Sequence, residues 1–455
     1  MGKYICKQCG AAFKQKSHHL NHLDRKTPCI NINDNIKNLV DEKVKDEIDK
    51  LVPQFGLLSI TLTKGMSKQS KKNEGIFFTP YNIIKKSVDF IMEYITEEKI
   101  EIMDILEPSC GSCEFIKYIN NQFNNVNIDG IEYNKNIYDK IKDINFGKIN
   151  NVNLLNMDYL KYEGNKYDLI TGNPPYFVIK KEDVNKDYLD YFSGRPNIFI
   201  LFIVHSLFKL KDNGILCFVL PKSFCNCLYY NKLRLFIKNN YTIINIIDCS
   251  KEKYIDTGQE TIIFILQNKK SENNKYIYDN DGNILFNTQE NIKLIEELYK
   301  DSTTLEKLDY SVKVGNKVWN QLKDDLTNDN TKTRLIYSGD ITDNKLTLTK
   351  YKNKEKKNYI NIPGNNNPVM LVNRGYGVGK YKLNYCIVDI DKEYLIENHL
   401  LVIEYKGEIE KEELLKKFRD IEKSFNNIKT EKFINLYCCN SALNTTELLK
   451  ILPIF

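Results

Sequence analysis

The stretch Tyr167-Asp168-Leu169-Ile170-Thr171-Gly172-Asn173-Pro174-Pro175-Tyr176 decides the reading of the fold. Apolar residues from Tyr167 to Thr171 predict a strand, which a glycine and two prolines then end. Proline has no backbone N–H and a fixed φ, so Pro174 and Pro175 make a stiff loop. In open α/β sheets, ligands sit at the carboxyl ends of strands. The loop presents an amide, Asn173, beside an aromatic ring, Tyr176. An exocyclic amino group on a base is a poor nucleophile, because its lone pair is conjugated into the ring. Two acceptors gripping its N–H groups bias it toward a tetrahedral nitrogen, and the Asn173 side-chain oxygen and Pro174 carbonyl are candidates. Tyr176 is a candidate stacking face, a contact worth about 1–3 kcal/mol. A ligand-free Asn-Pro turn with Tyr176 in the core accounts for the same residues.

Upstream, a βα alternation predicts a parallel sheet. A strand at Ile102–Leu106 ends in Glu107-Pro108-Ser109-Cys110-Gly111-Ser112-Cys113, a small-residue turn into a helix. A second strand, Val126–Ile131, ends at Glu132, about 20 residues after Gly111. A third, near Val152–Leu155, runs out to Asp158. Glu132 at that distance suits ribose hydroxyls, and Asp158 suits an adenine amino group. The strict G-x-G-x-x-G cradle is absent and Glu107 would repel a pyrophosphate, so the pattern fits a nucleoside without phosphates. Further upstream, Thr79-Pro80 predicts a helix start with Thr79 as cap and Pro80 at the first position. The same turn is a candidate cofactor contact. Residues 64–74 read as a polar linker and 34–52 as an amphipathic helix.

The 455 residues allow two or three domains, and 42% hydrophobic content excludes a disordered chain. The longest apolar run, 198–210, is too short to span a bilayer and reads as a buried helix. The expectation is an intracellular, cytoplasmic protein without a membrane partner. The net charge of +6 is compatible with a polyanion. Most of the twelve cysteines lie in apolar stretches, as reduced thiols do. Residues 1–30 differ: Cys6 and Cys9 in C-x2-C, then His22 and Cys29, form a candidate structural zinc quartet, with His18 and His19 as rival ligands. The segment resembles a two-cysteine, two-histidine zinc finger whose last histidine is a cysteine, with a wider spacing between His22 and Cys29.

Residues 74–270 resemble a DNA adenine-N6 methyltransferase of the gamma motif order. Gly75–Pro80 resembles that family's most N-terminal cofactor motif, Leu106–Gly111 its methionine-binding turn, and Asn173–Tyr176 its catalytic motif. The likeness continues through Gly194-Arg195-Pro196-Asn197, the strand Gly214–Pro221, Thr257–Thr261 and a last strand, Ile262–Gln267. Cys113 departs from it, standing where many methyltransferases carry glycine or another small residue.

The resemblance implies a Rossmann-like domain with a mostly parallel seven-stranded sheet, using S-adenosylmethionine and methylating a flipped adenine in double-stranded DNA. It implies Asn173 and Pro174 on the target amino group, with Tyr176 and Tyr254 as two aromatic faces. It also implies Thr79, Glu107, Ser109, Gly111, Glu132, Asp158 and Asn173 around the cofactor. A partner restriction endonuclease and a monomeric or dimeric state are both compatible. The rival enzymes act on a protein glutamine, an RNA base or the N4 of cytosine, although cytosine enzymes more often carry Ser or Asp in place of Asn173. The rival from another class is an inactive zinc-finger DNA-binding protein.

After residue 270 the βα rhythm stops and short strands alternate with helices; the resemblance, whose motif order places the DNA target-recognition domain last, implies that residues 271–455 are that domain, α+β in class. Lys350, Lys352 and Lys354 lead a basic, aromatic-flanked run that continues through Lys356 and Lys357 and suits phosphates. Arg374 and Lys380 flank a glycine-rich loop, with Arg374 a candidate for a guanine or a phosphate. A solvated hairpin and a ligand-free turn are the alternatives. The expected division is 1–30 zinc module, 31–73 helix and linker, 74–270 methyltransferase domain, and 271–455 recognition domain.

Overall fold

The computed structural model describes residues 4–6, 12–23, 54–272, 275–375, 381–437 and 442–455. Its centre is a seven-stranded sheet: β1 (Asp104–Glu107), β2 (Asn127–Glu132), β3 (Asn151–Asn156), β4 (Tyr167–Gly172), β5 (Leu210–Pro221), β6 (Thr242–Asp248) and β7 (Thr261–Gln267). The strand order is β3-β2-β1-β4-β5-β7-β6. The first five strands run parallel, and β7 is antiparallel to both its neighbours. Every residue of β7 is buried, as a strand covered on both faces requires.

Helices cover the two faces. On one side, α3 (Tyr81–Glu98), α4 (Glu114–Gln122) and α5 (Lys135–Ile141) pack with Ile105, Leu169 and Cys217. On the other, α6 (Ile198–Lys209) and α7 (Asn231–Asn240) pack with Leu106, Ile170 and Phe218. Apolar on nearly all sides, α6 lies buried as its composition demands. Among the described residues, no helix is long and apolar enough to cross a membrane.

Two local expectations fail. The polar stretch 64–74 is largely helical: α1 (Leu57–Gly65) is followed by α2 (Lys68–Glu74). Ser67 caps α2 by accepting from the Ser70 N–H, and Gly75 ends it in the left-handed conformation. Tertiary contacts hold this polar helix, since the buried Lys71 ammonium donates to the Thr63 carbonyl and pairs with Asp256. Helix α3 starts one residue later than predicted. Pro80 takes the cap position with no side-chain cap, and its carbonyl closes the first turn with the Ile83 and Ile84 N–H groups. Thr79 is thereby left out of the cap.

The C-terminal region is α+β. The hairpin β8 (Ile277–Asn280) and β9 (Asn283–Phe286) precedes α8 (Gln289–Tyr299). Two four-stranded sheets follow, with α9 (Lys411–Phe425) and α10 (Ile428–Tyr437) against the larger core. Strand alternation lets β9 serve both domains. Ile284 and Phe286 enter the α/β core, while Leu285 enters the C-terminal one. The expected boundary at residue 270 therefore precedes a hairpin shared by both cores.

Near the N-terminus, Tyr4–Ile5 pairs with Ala12–Phe13 ahead of a helix, Lys16–Leu23. Cys6 and His22 are buried. Cys9 and Cys29 lie outside the described residues, as does 34–52. Among the described residues, no group of three or more histidine, cysteine or acidic side chains could hold a metal. Among the described residues, zinc therefore finds no support.

Candidate active site

The strand order sets the carboxyl ends of β3, β2, β1 and β4 side by side. Asp158, Glu132, Glu107 and Asn173 therefore stand in a row at one edge of the sheet. All four line a cavity of about 1200 Å³, together with Thr79, Ser109 and Gly111.

The turn after β1 is tied to its neighbours. The Gly111 N–H donates to Glu132 Oε2 at 2.9 Å, and the Cys110 N–H to the Ile131 carbonyl at 2.8 Å. Ser109 Oγ donates to the Asn173 carbonyl at 3.1 Å, joining this turn to the loop that follows β4. Cys113 begins α4 at φ 63, in the left-handed region. That conformation explains why glycine suits this position and a side chain there carries strain of order 1 kcal/mol.

The carboxyl groups differ in state. Glu132 is 8% exposed, with Oε1 accepting from the Asn134 N–H at 2.7 Å and Oε2 from Gly111. Burial pushes its carboxyl up to about 7, against the pull of these N–H groups. Glu107 is 3% exposed, and burial drives it well above the carboxylate range, with the neighbouring Cys113 second. Its Oε2 is buried with no hydrogen-bond partner. A buried carboxyl oxygen left unpaired at a cavity is costly unless a donor or cation enters. Asp158 Oδ1 accepts from the Leu160 N–H at 3.1 Å.

Asn173 is held at both ends of its amide. Nδ2 donates to the Phe77 carbonyl at 3.0 Å, and Oδ1 faces the Tyr176 hydroxyl at 2.6 Å. That hydroxyl is also 2.6 Å from the Val219 carbonyl, so one proton serves two acceptors. The Tyr176 ring is half-buried and edge-on to Phe199, with centroids 5.9 Å apart. Pro174 is buried, whereas Pro175 and Phe177 line the cavity. Tyr254 does not reach the cavity wall: it is 9% exposed and packed in the core beside α3.

Gly75 fastens the Phe77 segment to this loop. Its φ is +64, and a Cβ there would lie 2.7 Å from the Tyr176 backbone nitrogen. Gly75→Ala is expected to cost about 2 kcal/mol from left-handed strain and the clash. Urea unfolding checks this, and an unchanged midpoint would contradict it.

Sequence reading missed Phe77, Phe177, Leu201 and Phe202 as cavity walls. Helical spacing puts Ile198, Leu201 and Phe202 on one side of α6, but periodicity does not distinguish a core face from a cavity face. In the C-terminal domain, Lys350, Lys352 and Lys354 are exposed. Lys356 and Lys357 of the same run turn inward instead of toward solvent. The Arg374 guanidinium donates to the Asn398 carbonyl at 3.2 Å, and Lys380 lies outside the described residues.

The profile of the Eco57I restriction-modification methylase family matches residues 17–255. Type II methyltransferase M.CvrRI of Paramecium bursaria Chlorella virus XZ-6E is 25% identical over 408 residues, covering 87% of this chain and 98% of that protein. Modification methylase CviBIII of Paramecium bursaria Chlorella virus NC1A is 27% identical over 229 residues, covering 50% of this chain and 58% of that protein. A solved DrdV–DNA complex is 12% identical with a TM-score of 0.48, covering 88% of this chain and 57% of that one.

Proposed function

The chain belongs to the Eco57I restriction-modification methylase family, and on that premise we propose that it methylates the N6 amino group of adenine in duplex DNA, using S-adenosylmethionine. The family and its Type II methyltransferase relatives support a DNA methyltransferase. The observation that carries the finer reading is the Asn173 amide, pinned on the wall of the cavity that also holds Glu107, Glu132 and Asp158.

The residues present fit that cofactor. When bound, it supplies a methyl group already activated on a sulfonium, so the protein needs only to align and polarise the acceptor. Glu132 accepts from the ribose hydroxyls, because each of its oxygens keeps a lone pair beyond the one its backbone N–H uses. Asp158 takes the adenine amino group. Glu107, with its unpartnered Oε2, gives a cationic or N–H-bearing end the acceptor it needs. Three carboxyl groups along one wall disfavour a phosphate there.

Acceptor polarisation falls to Asn173. The Phe77 carbonyl fixes the amide so that Oδ1 is an acceptor. The Tyr176 hydroxyl can release Oδ1 at little cost, because the Val219 carbonyl already shares its proton. The Pro174 carbonyl is the second proposed acceptor, and the Tyr176 ring the stacking face. A base inside a duplex cannot reach the methyl group, so the target leaves the stack. We assign target recognition to residues 271–455. This reading leaves Tyr254 only a packing role near Tyr176, and Phe177 is the better-placed second aromatic.

Incubation with labelled S-adenosylmethionine and duplex DNA, RNA or protein tests the acceptor class. The expected result is label in duplex DNA. Label only in RNA or protein would replace the reading.

Glu132 gives a pH signature. Ribose hydroxyls donate to the carboxylate form, so binding lowers a pKa that burial holds at about 7. Cofactor affinity should therefore rise with pH through about 6–7.5 and level off above, with a fraction of a proton released per binding event. Calorimetry in buffers of different ionisation enthalpy measures that release. Glu132→Gln should bind more weakly and lose the pH dependence. A wild-type affinity that is flat across this window would contradict the assignment.

A further inference from the structure

The basic run of the C-terminal domain has two kinds of lysine. Lys350, Lys352 and Lys354 are exposed, and among the described residues no carboxylate pairs with them. Glu355, the acidic residue of the run, is neutralised by Lys323 at 2.7 Å. Lys356 points the other way. Its ammonium stands 4.0 Å from the Tyr337 ring centre, 4.2 Å from Tyr351 and 5.9 Å from Trp319. A cation stripped of water on one side is held by aromatic faces, and such contacts strengthen with desolvation.

The rest of the loop is equally fixed. Asp340 is fully buried and accepts from the Tyr337 N–H at 3.0 Å, the Thr349 N–H at 3.2 Å and the Tyr351 hydroxyl at 2.7 Å. Asn353 Oδ1 accepts from the Glu355 N–H at 3.0 Å, and the Asn358 amide donates to the Thr349 carbonyl at 2.9 Å. Three unpaired ammonium groups are therefore displayed on a loop whose conformation is set before any partner arrives. Lysines on a mobile tail would lose far more entropy on binding. The turn 397–399 lies beside both the cage and Arg374: Asn398 accepts from the Arg374 guanidinium, and the Glu397 N–H donates at 3.0 Å to the carbonyl of Ile336, the residue before Tyr337.

We propose that residues 350–354 form a backbone-phosphate edge for duplex DNA, and that Lys356 is its positioning residue, anchoring the loop in the Trp319–Tyr337–Tyr351 cage rather than touching DNA. The proposal rests on the DNA methyltransferase reading and adds a surface and a division of labour to it. Each phosphate neutralised by a lysine contributes about 0.9 to the slope of log affinity against log salt. Contact by all three exposed lysines predicts a slope shallower by about 2.7 when they are removed.

The test is anisotropy of a labelled duplex with the full chain, over about 50–200 mM salt. Lys350→Ala/Lys352→Ala/Lys354→Ala is expected to bind at least about tenfold more weakly near physiological salt, with that loss of slope. Lys356→Ala is expected to weaken binding while keeping the slope, because the three contacts persist from a loosened loop. Lys356→Arg should restore affinity, since a guanidinium also sits over aromatic rings. Trp319 is the only tryptophan of the chain, so its emission should shift in Lys356→Ala and return toward wild type in Lys356→Arg. An unchanged slope in the triple variant, with DNA still bound, overturns the proposal and leaves the methyltransferase reading standing. Unaltered affinity in Lys356→Ala overturns the positioning role. Absence of duplex binding by the wild type overturns both the proposal and the reading.

Discussion

Asn173→Ala is expected to slow methyl transfer by about 10³-fold or more at saturating DNA and cofactor, about 4 kcal/mol of barrier. On the proposed reading, the alanine removes one of the two acceptors for the target nitrogen, where positive charge grows, and leaves only the Pro174 carbonyl. The Tyr176 hydroxyl is a donor already directed at Oδ1 and at Val219. Cofactor binding should suffer far less. The Ser109 hydroxyl bonds the Asn173 backbone carbonyl, which the variant keeps. The variant loses the Nδ2 bond to the Phe77 carbonyl and the Tyr176 bond to Oδ1, but the Tyr176 hydroxyl keeps Val219, so the uncompensated loss is about one neutral hydrogen bond, worth about 0.5–1.5 kcal/mol. A threefold to tenfold loss of cofactor affinity is therefore the ceiling expected. Single-turnover kinetics beside calorimetric titration separates the two effects. Equal losses in rate and affinity would move Asn173 from the acceptor to the cofactor wall.

Arg234→Ala is expected to give the largest loss of stability, at least about 3 kcal/mol. The guanidinium is fully buried and bonds no carboxylate among the described residues. Its Nε donates to the Ile284 carbonyl, Nη1 to those of Phe224 and Cys227, and Nη2 to that of Asn226. One side chain thus ties the 222–230 loop to the hairpin that both domain cores share. Burial lowers its pKa only to about 10, so it stays charged near neutrality. Truncation leaves four carbonyls without that donor, those of Ile284, Phe224 and Asn226 in buried bonds and that of Cys227 in a partly buried one. Arg234→Lys should recover little, because an ammonium cannot span acceptors laid out for a planar fork. Urea unfolding followed by circular dichroism measures the loss. Destabilisation under about 1 kcal/mol would mean that water satisfies those carbonyls.

Much of the α/β domain was legible in the chain, and the reasons are specific. Short, largely apolar runs ending in Glu107, Glu132 and Asn173, separated by small-residue turns and helical stretches, read as parallel strands because a βα alternation builds a parallel sheet. The order of those strands then makes neighbours of side chains that are 25 to 66 residues apart in sequence. What stayed hidden depends on partners distant in sequence. Helix α2 has no apolar stripe, and its stability comes from Lys71 reaching Thr63 and Asp256. Tyr254 reads as an aromatic near the last strand, but only the fold shows its ring packed in the core. Lys356 looks like its neighbours in a basic run, and the cage that turns it inward draws on Trp319 and Tyr337 from earlier in the chain. Thr79 satisfies the cap pattern, yet Pro80 supplies the closing carbonyl. Local pattern places a residue near a site, while register and packing decide which way it faces.

The most direct measurement is nucleoside analysis of duplex DNA methylated by the wild-type chain and by Asn173→Ala. The expected products are N6-methyl-2′-deoxyadenosine from the wild type and none above background from the variant. Methyl groups on cytosine, or the same adenine product at undiminished rate from Asn173→Ala, would contradict it.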